Sequence, residues 1–174
     1  GLFKVSTGEN PKRVMKRVVK FKKYLVKEGE QYFEEMSGMA KGAGLHVDDI
    51  IMLNYRSDLL SRERRTKPHE CTSIGMLASR SKEGRIVIGQ TWDWLCGVNE
   101  FSVLIDYRIK GVPRFITITE AGILGKIGMN ETGLAHCANI TSCGYSKIGV
   151  SAQLLFRQCL EQETLKGALG RVTN

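Results

Sequence analysis

The spacing of apolar side chains changes its period near the middle of the chain. In residues 11–28 and 29–42 apolar positions recur every three to four residues, which predicts two amphipathic helices separated at Gly29. The glycines of "KGAGL" end the second helix, and "HVDDIIMLNYRSDLLSRE" predicts a third with Asp48 and Asp49 in its first turn. The charged stretch "RERRTKPHE" that follows is predicted to be an exposed linker.

From Cys71 onward the pattern becomes that of short strands. Candidate strands are "CTSIGMLAS", "RIVIGQTWDW", "FSVLIDYRI", "PRFITITEA", "GILGKIGMN" and "GLAHCANIT", and "NETG" is typical of a hairpin tip. The helical period returns near Gly149 in "VSAQLLFRQCLEQ" and "TLKGALGRV". The order of helices, antiparallel meander and helices predicts an α+β fold with a helical layer on a sheet. We expect a helical part at residues 1–70 and a second part at residues 71–174.

Composition is that of a globular protein, with 42% hydrophobic and 25% charged residues. No apolar run approaches the roughly 18 residues of a membrane span, so no membrane partner is expected. The net charge of +8 is densest in "PKRVMKRVVKFKKYLVK", where the basic residues form one face of a helix. That face is either simply solvated or attracts an anionic substrate or surface. Nucleic-acid binding is not expected, because no helix-turn-helix pattern or aromatic-rich strand accompanies the charge.

The five cysteines lack the spacing of a metal site. None is part of a C-x-x-C pair and the three histidines are scattered, so we predict neither a metal nor another cofactor. An odd number of cysteines without a framework indicates free thiols in a reducing, cytoplasmic setting. Most of them are expected to be small buried side chains. The five cysteines are Cys71, Cys96, Cys137, Cys143 and Cys159.

Cys71 differs because it lies where the helical pattern gives way to strands. A cysteine thiol has a pKa of about 8.5 and needs a base, and the α-amine of a chain terminus titrates near 7.7–8.0. Cleavage of the Glu70–Cys71 bond would place such an amine on the nucleophile itself. The thiol can attack that bond by an N-to-S acyl shift followed by hydrolysis. Position alone leaves open that Cys71 is an ordinary buried residue.

Several motifs together resemble one family. "ECTSIGM", "GQTWDW" at 89–94, "TEAGILGKIGMNETGLAHCANI" at 119–140 and the helical "MSGMAKGAGLHVDDIIMLNYRSDL" are similar to the acyl-coenzyme A:6-aminopenicillanic acid acyltransferase family. This family, also called isopenicillin N acyltransferase-like, belongs to the N-terminal-nucleophile (Ntn) hydrolases. The resemblance implies an αββα sandwich with residues 1–70 as pro-segment. Family chains are longer, so residues 71–174 would form only the first portion of the catalytic part, leaving the sandwich incomplete.

The resemblance also implies three catalytic residues. Cys71 would be the nucleophile exposed by autocatalytic cleavage, and Asp93 would orient its α-ammonium group. Asn139 would donate to the oxyanion or bind the α-amine. Without the resemblance, Asp93 would be read as an ordinary strand-end or turn acid and Asn139 as an ordinary turn or strand-edge amide. Glu70 stands where many members have glycine, which puts the rate of maturation in question.

The function implied is that of a self-processing cysteine amidohydrolase or acyltransferase. It would act on small N-acyl amides or acyl-thioesters through a thioester acyl-enzyme. Its expected partners are the small-molecule substrate and either the remainder of the catalytic chain or further copies in a homo-oligomer. The alternative is a catalytically silent family member that binds or regulates, and an anion-binding module based on the basic helix ranks last.

Overall fold

The computed structural model describes residues 11–60, 71–93, 97–139 and 149–173. The chain divides into two compact units. The helical unit comprises Gly1–Lys67, Ala121–Leu124 and Ser142–Arg157, and the sheet unit comprises Pro68–Glu120, Gly125–Thr141 and Gln158–Asn174. Among the helices of the described ranges, none combines the length and apolar character needed to cross a membrane. The expected boundary between residues 70 and 71 stays a prediction, since the residues around Glu70 lie outside the described ranges.

The helical unit begins with the two helices that the sequence predicts. Helix α1 spans Pro11–Glu28 and α2 spans Glu30–Ala43, with Gly29 between them and Gly44 ending α2 at φ 65°. The predicted third helix is broken at Tyr55 into α3, Val47–Asn54, and α4, Arg56–Leu60. The linker predicted beyond it lies outside the described residues.

The apolar faces of these helices meet in one core. Along α1 the predicted inner residues Val14, Val18, Phe21 and Leu25 are buried, while lysines of the basic face are exposed. The Phe21 ring stacks on Tyr55 with their centroids 4.2 Å apart. Burial of this stripe removes apolar surface from water and is the main driving force for packing the helices. The rest of the core is Tyr32, Met36, Ala40, Ile50, Ile51, Leu59, Leu124 and Leu154.

Buried polar side chains fasten two later stretches of the chain within the helical unit. The amide of Asn54, fully buried, donates to the Gly122 carbonyl at 2.8 Å and accepts from the Leu124 N–H at 2.9 Å. The Arg157 guanidinium donates to both carboxylate oxygens of Glu35, at 3.1 and 3.2 Å, and to the Leu124 carbonyl at 3.1 Å. Such pairing gives backbone groups in the interior the hydrogen-bond partners that they lose on leaving water.

The sheet unit holds the six predicted strands, in two sheets. Strands β1, Ser73–Met76, and β2, Val87–Gln90, form an antiparallel pair of their own. The other four strands form the predicted antiparallel meander, in which each strand is hydrogen-bonded to the next one along the chain. The strands are shorter than predicted: residues 91–93 follow the end of β2, and residues 137–139 follow the end of β6. The four are β3 Ser102–Tyr107, β4 Phe115–Glu120, β5 Ile127–Asn130 and β6 Ala135–His136.

The four-stranded sheet has one buried and one exposed face. On β4 the side chains of Thr117 and Thr119 are fully buried, whereas Ile116 and Ile118 are 38% and 42% exposed. Leu104 on β3 is 73% exposed. On this strand the threonine side chains are therefore covered and the isoleucine side chains are exposed. The remaining described elements are helices α5, Ala152–Leu160, and α6, Leu165–Thr173, and the 3₁₀ turns Ala78–Arg80 and Val98–Phe101.

The hairpin predicted at "NETG" is present and is held by Asn130. Its side-chain oxygen accepts from the N–H groups of Thr132 and Leu134, and Gly133 has φ 86°. The same amide donates to the Leu160 carbonyl at 3.0 Å. A positive φ favours glycine, so the turn residues and the structure agree.

We predict that Gly128→Ala destabilises the sheet unit, because β4 and β5 approach too closely at this point for a side chain. A Cβ on Gly128 would lie 2.3 Å from the Ile116 carbonyl oxygen and 2.9 Å from a methyl group of Leu160. The free energy of unfolding, measured with denaturant, should fall by about 1–3 kcal/mol. Gly75→Ala on β1 is the matched control, since its Cβ meets nothing within 4 Å. Equal effects of the two substitutions would contradict this reading.

We predict that the Asp58 carboxyl group makes the fold less stable as the pH rises. Burial raises the pKa of Asp58 from 3.8 to about 6, and hydrogen bonds from backbone N–H groups, including that of Ala152, only partly oppose this. The folded chain therefore holds this proton more tightly than the unfolded chain. The free energy of unfolding should decline between about pH 4 and pH 6.

The isosteric substitution Asp58→Asn tests this pH dependence. It should remove roughly 2–3 kcal/mol of the decline, seen by comparing denaturant curves of both proteins from about pH 4 to pH 7. Parallel pH profiles for the two proteins would show that Asp58 does not titrate in this way.

Candidate active site

The structure brings together the three residues predicted to be catalytic. Cys71 lies just before β1, Asp93 just after β2, and Asn139 just after β6. The side-chain amide of Asn139 donates to the Cys71 carbonyl oxygen at 3.1 Å. The Cys71 thiol lies 3.9 Å from the Asp93 carbonyl oxygen, so Asp93 meets it through its backbone. The Cys71 side chain is half-buried, and Asp93 and Asn139 are exposed.

Backbone pairing continues past the β1–β2 ladder and fixes the start of β1. The Thr91 N–H donates to the Thr72 carbonyl at 2.9 Å, and the Thr72 N–H donates to the Thr91 hydroxyl at 3.1 Å. The Ser73 hydroxyl hydrogen-bonds the Asn139 side-chain oxygen. Cys71 therefore directly precedes a residue whose backbone N–H and carbonyl are both hydrogen-bonded to Thr91.

A glutamine attaches the segment after β6 to β2. The Gln90 side-chain amide donates to the Ala138 carbonyl and accepts from the Ala138 N–H, both at 2.7 Å. This is the pairing that a neighbouring strand would supply, made by a side chain. The Cys137 thiol donates to the Gly89 carbonyl at 3.6 Å. The sequence carries no local signal for this role of Gln90, since its partner Ala138 is 48 residues away.

An apolar cavity of about 340 Å³ lies beside these residues in the sheet unit. Trp92, immediately before Asp93, forms part of its wall, as do Gln90 and Cys137. Most of the lining is aliphatic, which suits a hydrocarbon group rather than a charged one. Further lining residues are Ile88, Leu104, Ile116, Ile118, Ile127, Met129 and Ala135.

A buried ion pair lies next to Trp92. The Lys126 ammonium is 3.6 Å from a Glu120 carboxylate oxygen and 3.3 Å from the centre of the Trp92 ring. His136 donates from Nε2 to the Lys126 carbonyl. Burial lowers the pKa of His136 below its usual 6.5, which favours the neutral ring.

The other described cysteines differ from Cys71 in their surroundings. Cys159 is buried, donates to the Ala168 carbonyl, and has its pKa raised by that burial. Cys137 is half-buried against Gly89. Cys96 and Cys143 lie outside the described residues. Across the described ranges, no three His, Cys, Asp or Glu side chains come together as metal ligands would.

Comparisons with known proteins agree with the motifs. The profile of a family described as acyl-coenzyme A:6-aminopenicillanic acid acyl-transferase matches residues 79–172, which include Asp93 and Asn139. The acyl-coenzyme A:6-aminopenicillanic-acid-acyltransferase 40 kDa form of Emericella nidulans is 30% identical over 145 residues, or 83% of this chain. The chain spans 39% of the length of that relative. With more than half of its residues matched, the chain belongs to the acyl-coenzyme A:6-aminopenicillanic acid acyl-transferase family.

Proposed function

We propose that the protein is a self-processing acyltransferase or amidohydrolase whose nucleophile is Cys71. The observation that carries the proposal is the meeting of Cys71 with Asn139 and Asp93 at the ends of three strands. The 3.1 Å hydrogen bond from Asn139 reaches the Cys71 backbone, and the half-buried thiol lies next to Asp93. A thiol held at a strand end beside an amide donor is suited to nucleophilic attack on a carbonyl.

Maturation would begin with attack of the Cys71 thiol on the carbonyl carbon of Glu70. The carbon–nitrogen bond breaks, the thiol proton passes to the nitrogen, and the chain is carried as a thioester. Water then hydrolyses the thioester, leaving a carboxylate on Glu70 and a free α-amine on Cys71. That amine becomes the proton acceptor for the thiol, so the enzyme gains its base only on cleavage.

In turnover the α-amine takes the thiol proton and the thiolate attacks the acyl carbonyl of the substrate. The leaving amine or thiol takes up the proton, and the acyl group remains on Cys71 as a thioester. A second amine or water then accepts it. Asn139 would supply a hydrogen bond to the developing oxyanion, and such a donor is worth roughly 3–4 kcal/mol. The carboxylate of Asp93 would orient the ammonium group while it holds the proton.

The substrates proposed are small N-acyl amides and acyl-thioesters. The name of the Emericella nidulans relative specifies an acyl-coenzyme A and 6-aminopenicillanic acid. The apolar cavity beside Trp92 would hold the hydrocarbon part of the acyl group. Because the relative is longer, we propose that the whole site also needs the remainder of a catalytic chain or a further copy. The exposed apolar face that includes Leu104 and Ile116 is where such a partner would bury surface.

We predict that the full-length protein is cleaved between Glu70 and Cys71, because the thiol can reach its own peptide bond. Mass spectrometry should find a product beginning at Cys71 in the wild type and only intact chain in Cys71→Ala. Cys159→Ala is the control. The Cys159 thiol hydrogen-bonds the Ala168 carbonyl in α6, so this substitution should leave cleavage unchanged. An intact wild-type chain, or a cleaved Cys71→Ala variant, would favour the silent binding protein instead.

We predict that Asn139→Ala slows acyl transfer, because it removes the donor aimed at the developing oxyanion. kcat/KM for a chromogenic N-acyl anilide should fall by about 10²–10³-fold. Asn99→Ala, an exposed asparagine in the 3₁₀ turn Val98–Phe101, is the matched control and should act as the wild type. A loss of less than about threefold at Asn139 would remove it from the oxyanion site.

A further inference from the structure

The proposed mechanism leaves unused the buried ion pair of Lys126 and Glu120. Lys126 is 4% exposed and Glu120 3% exposed, and the ammonium lies 3.6 Å from the carboxylate. Buried charged pairs lose much hydration and are frequently no better for stability than apolar residues of the same size. Stability of the sheet alone therefore does not explain an ion pair at this position.

The backbone of Lys126 is fixed on both sides, which sets the direction of its side chain. Its N–H donates to the Thr117 hydroxyl at 3.0 Å, and that hydroxyl donates on to the Ile127 carbonyl at 3.0 Å. Its carbonyl accepts from His136 Nε2. Because Thr117 is fully buried, little freedom remains at the base of the lysine side chain.

The ammonium group of Lys126 lies over the ring of Trp92. It lies 3.3 Å from the ring centre, within the range of a cation–π interaction, which strengthens when water is excluded. Trp92 stands between Thr91 and Asp93. Thr91 pairs with the backbone of Thr72, and the Asp93 carbonyl lies 3.9 Å from the Cys71 thiol. A contact that holds the Trp92 ring therefore holds the segment that lies against Cys71.

We propose that Lys126, itself held by Glu120, is a positioning residue that acts through Trp92 to set the place of residues 91–93 against Cys71. The proposal rests on the proposed function only where it takes Cys71 to be the nucleophile. Lys126 does not touch the thiol. Its effect is to fix the distance and angle at which the thiol meets the carbonyl of Asp93, and small errors of placement cost large factors in rate.

The test is a double-substitution cycle on Lys126 and Trp92, read at the thiol. Lys126→Met keeps the unbranched apolar stem and removes the charge, Lys126→Arg keeps a cation, and Trp92→Leu removes the ring. The rate at which iodoacetamide alkylates Cys71 is measured by mass spectrometry of the Cys71 peptide across about pH 6–9. The buried Cys159 peptide reports general loosening of the sheet unit in the same samples.

We expect Lys126→Met to change the alkylation rate of Cys71 by about tenfold or more and to shift its pH profile, with Cys159 unchanged. Lys126→Arg should restore the rate to within about threefold. Adding Lys126→Met to Trp92→Leu should have no further effect, because the two residues act through one contact. If the two substitutions multiply, or if Cys71 and Cys159 change together, the proposal is overturned.

Two further measurements cover the cases in which Lys126→Met does not fold or the proposed function itself is wrong. If Lys126→Met does not fold, the pair Lys126→Met with Glu120→Gln removes both charges and takes its place in the cycle, and an unchanged Cys71 rate there overturns the proposal. Trapping of the acyl-enzyme in the wild type tests the proposed function separately. A trapped acyl-Cys71 with an alkylation rate indifferent to Lys126 would sink this inference alone, whereas an absent acyl-enzyme would sink the proposed function alone.

Discussion

The candidate site depends on one side-chain pairing, that of Gln90 with the backbone of Ala138. Strand β6 pairs with β5 and belongs to a different sheet from β2, so no ladder of backbone hydrogen bonds runs between them. The Gln90 amide takes the place of that ladder, with two hydrogen bonds of 2.7 Å. Asn139 is the next residue, and its reach to the Cys71 carbonyl follows from this attachment.

The hairpin geometry supplies the other half of the site. In an antiparallel pair the start of one strand lies beside the end of its partner, so residues just before β1 and just after β2 become neighbours. The ladder that begins with Ser73 opposite Gln90 carries on to Thr72 and Thr91 and leads to Cys71 and Asp93. The nucleophile proposed here thus lies just before the start of a strand.

Polar side chains of β4 link the four-stranded sheet to this site. The Thr117 hydroxyl receives the Lys126 N–H, and the Lys126 ammonium lies between Glu120 and the Trp92 ring. The opposite face carries Ile116, Ile118 and Leu104, which are exposed and border the apolar cavity. The Trp92 ring is shared by the two features, since it meets the Lys126 ammonium and also forms part of the wall of the proposed acyl pocket.

Helices α1 and α2, the hairpin at "NETG", the family and the three candidate catalytic residues all follow from the sequence alone. Helix periodicity, turn chemistry and motif order are local properties, so they can be recognised in the sequence before the fold is known. That β1 and β2 form their own sheet, and that Thr117 rather than Ile116 is covered, depends on contacts that form only in the folded chain. Alternation along a strand defines two faces but does not say which of them another element will cover. The roles of Gln90 and Lys126 likewise arise from partners distant in sequence, which only the folded chain brings within hydrogen-bonding or ring-contact distance.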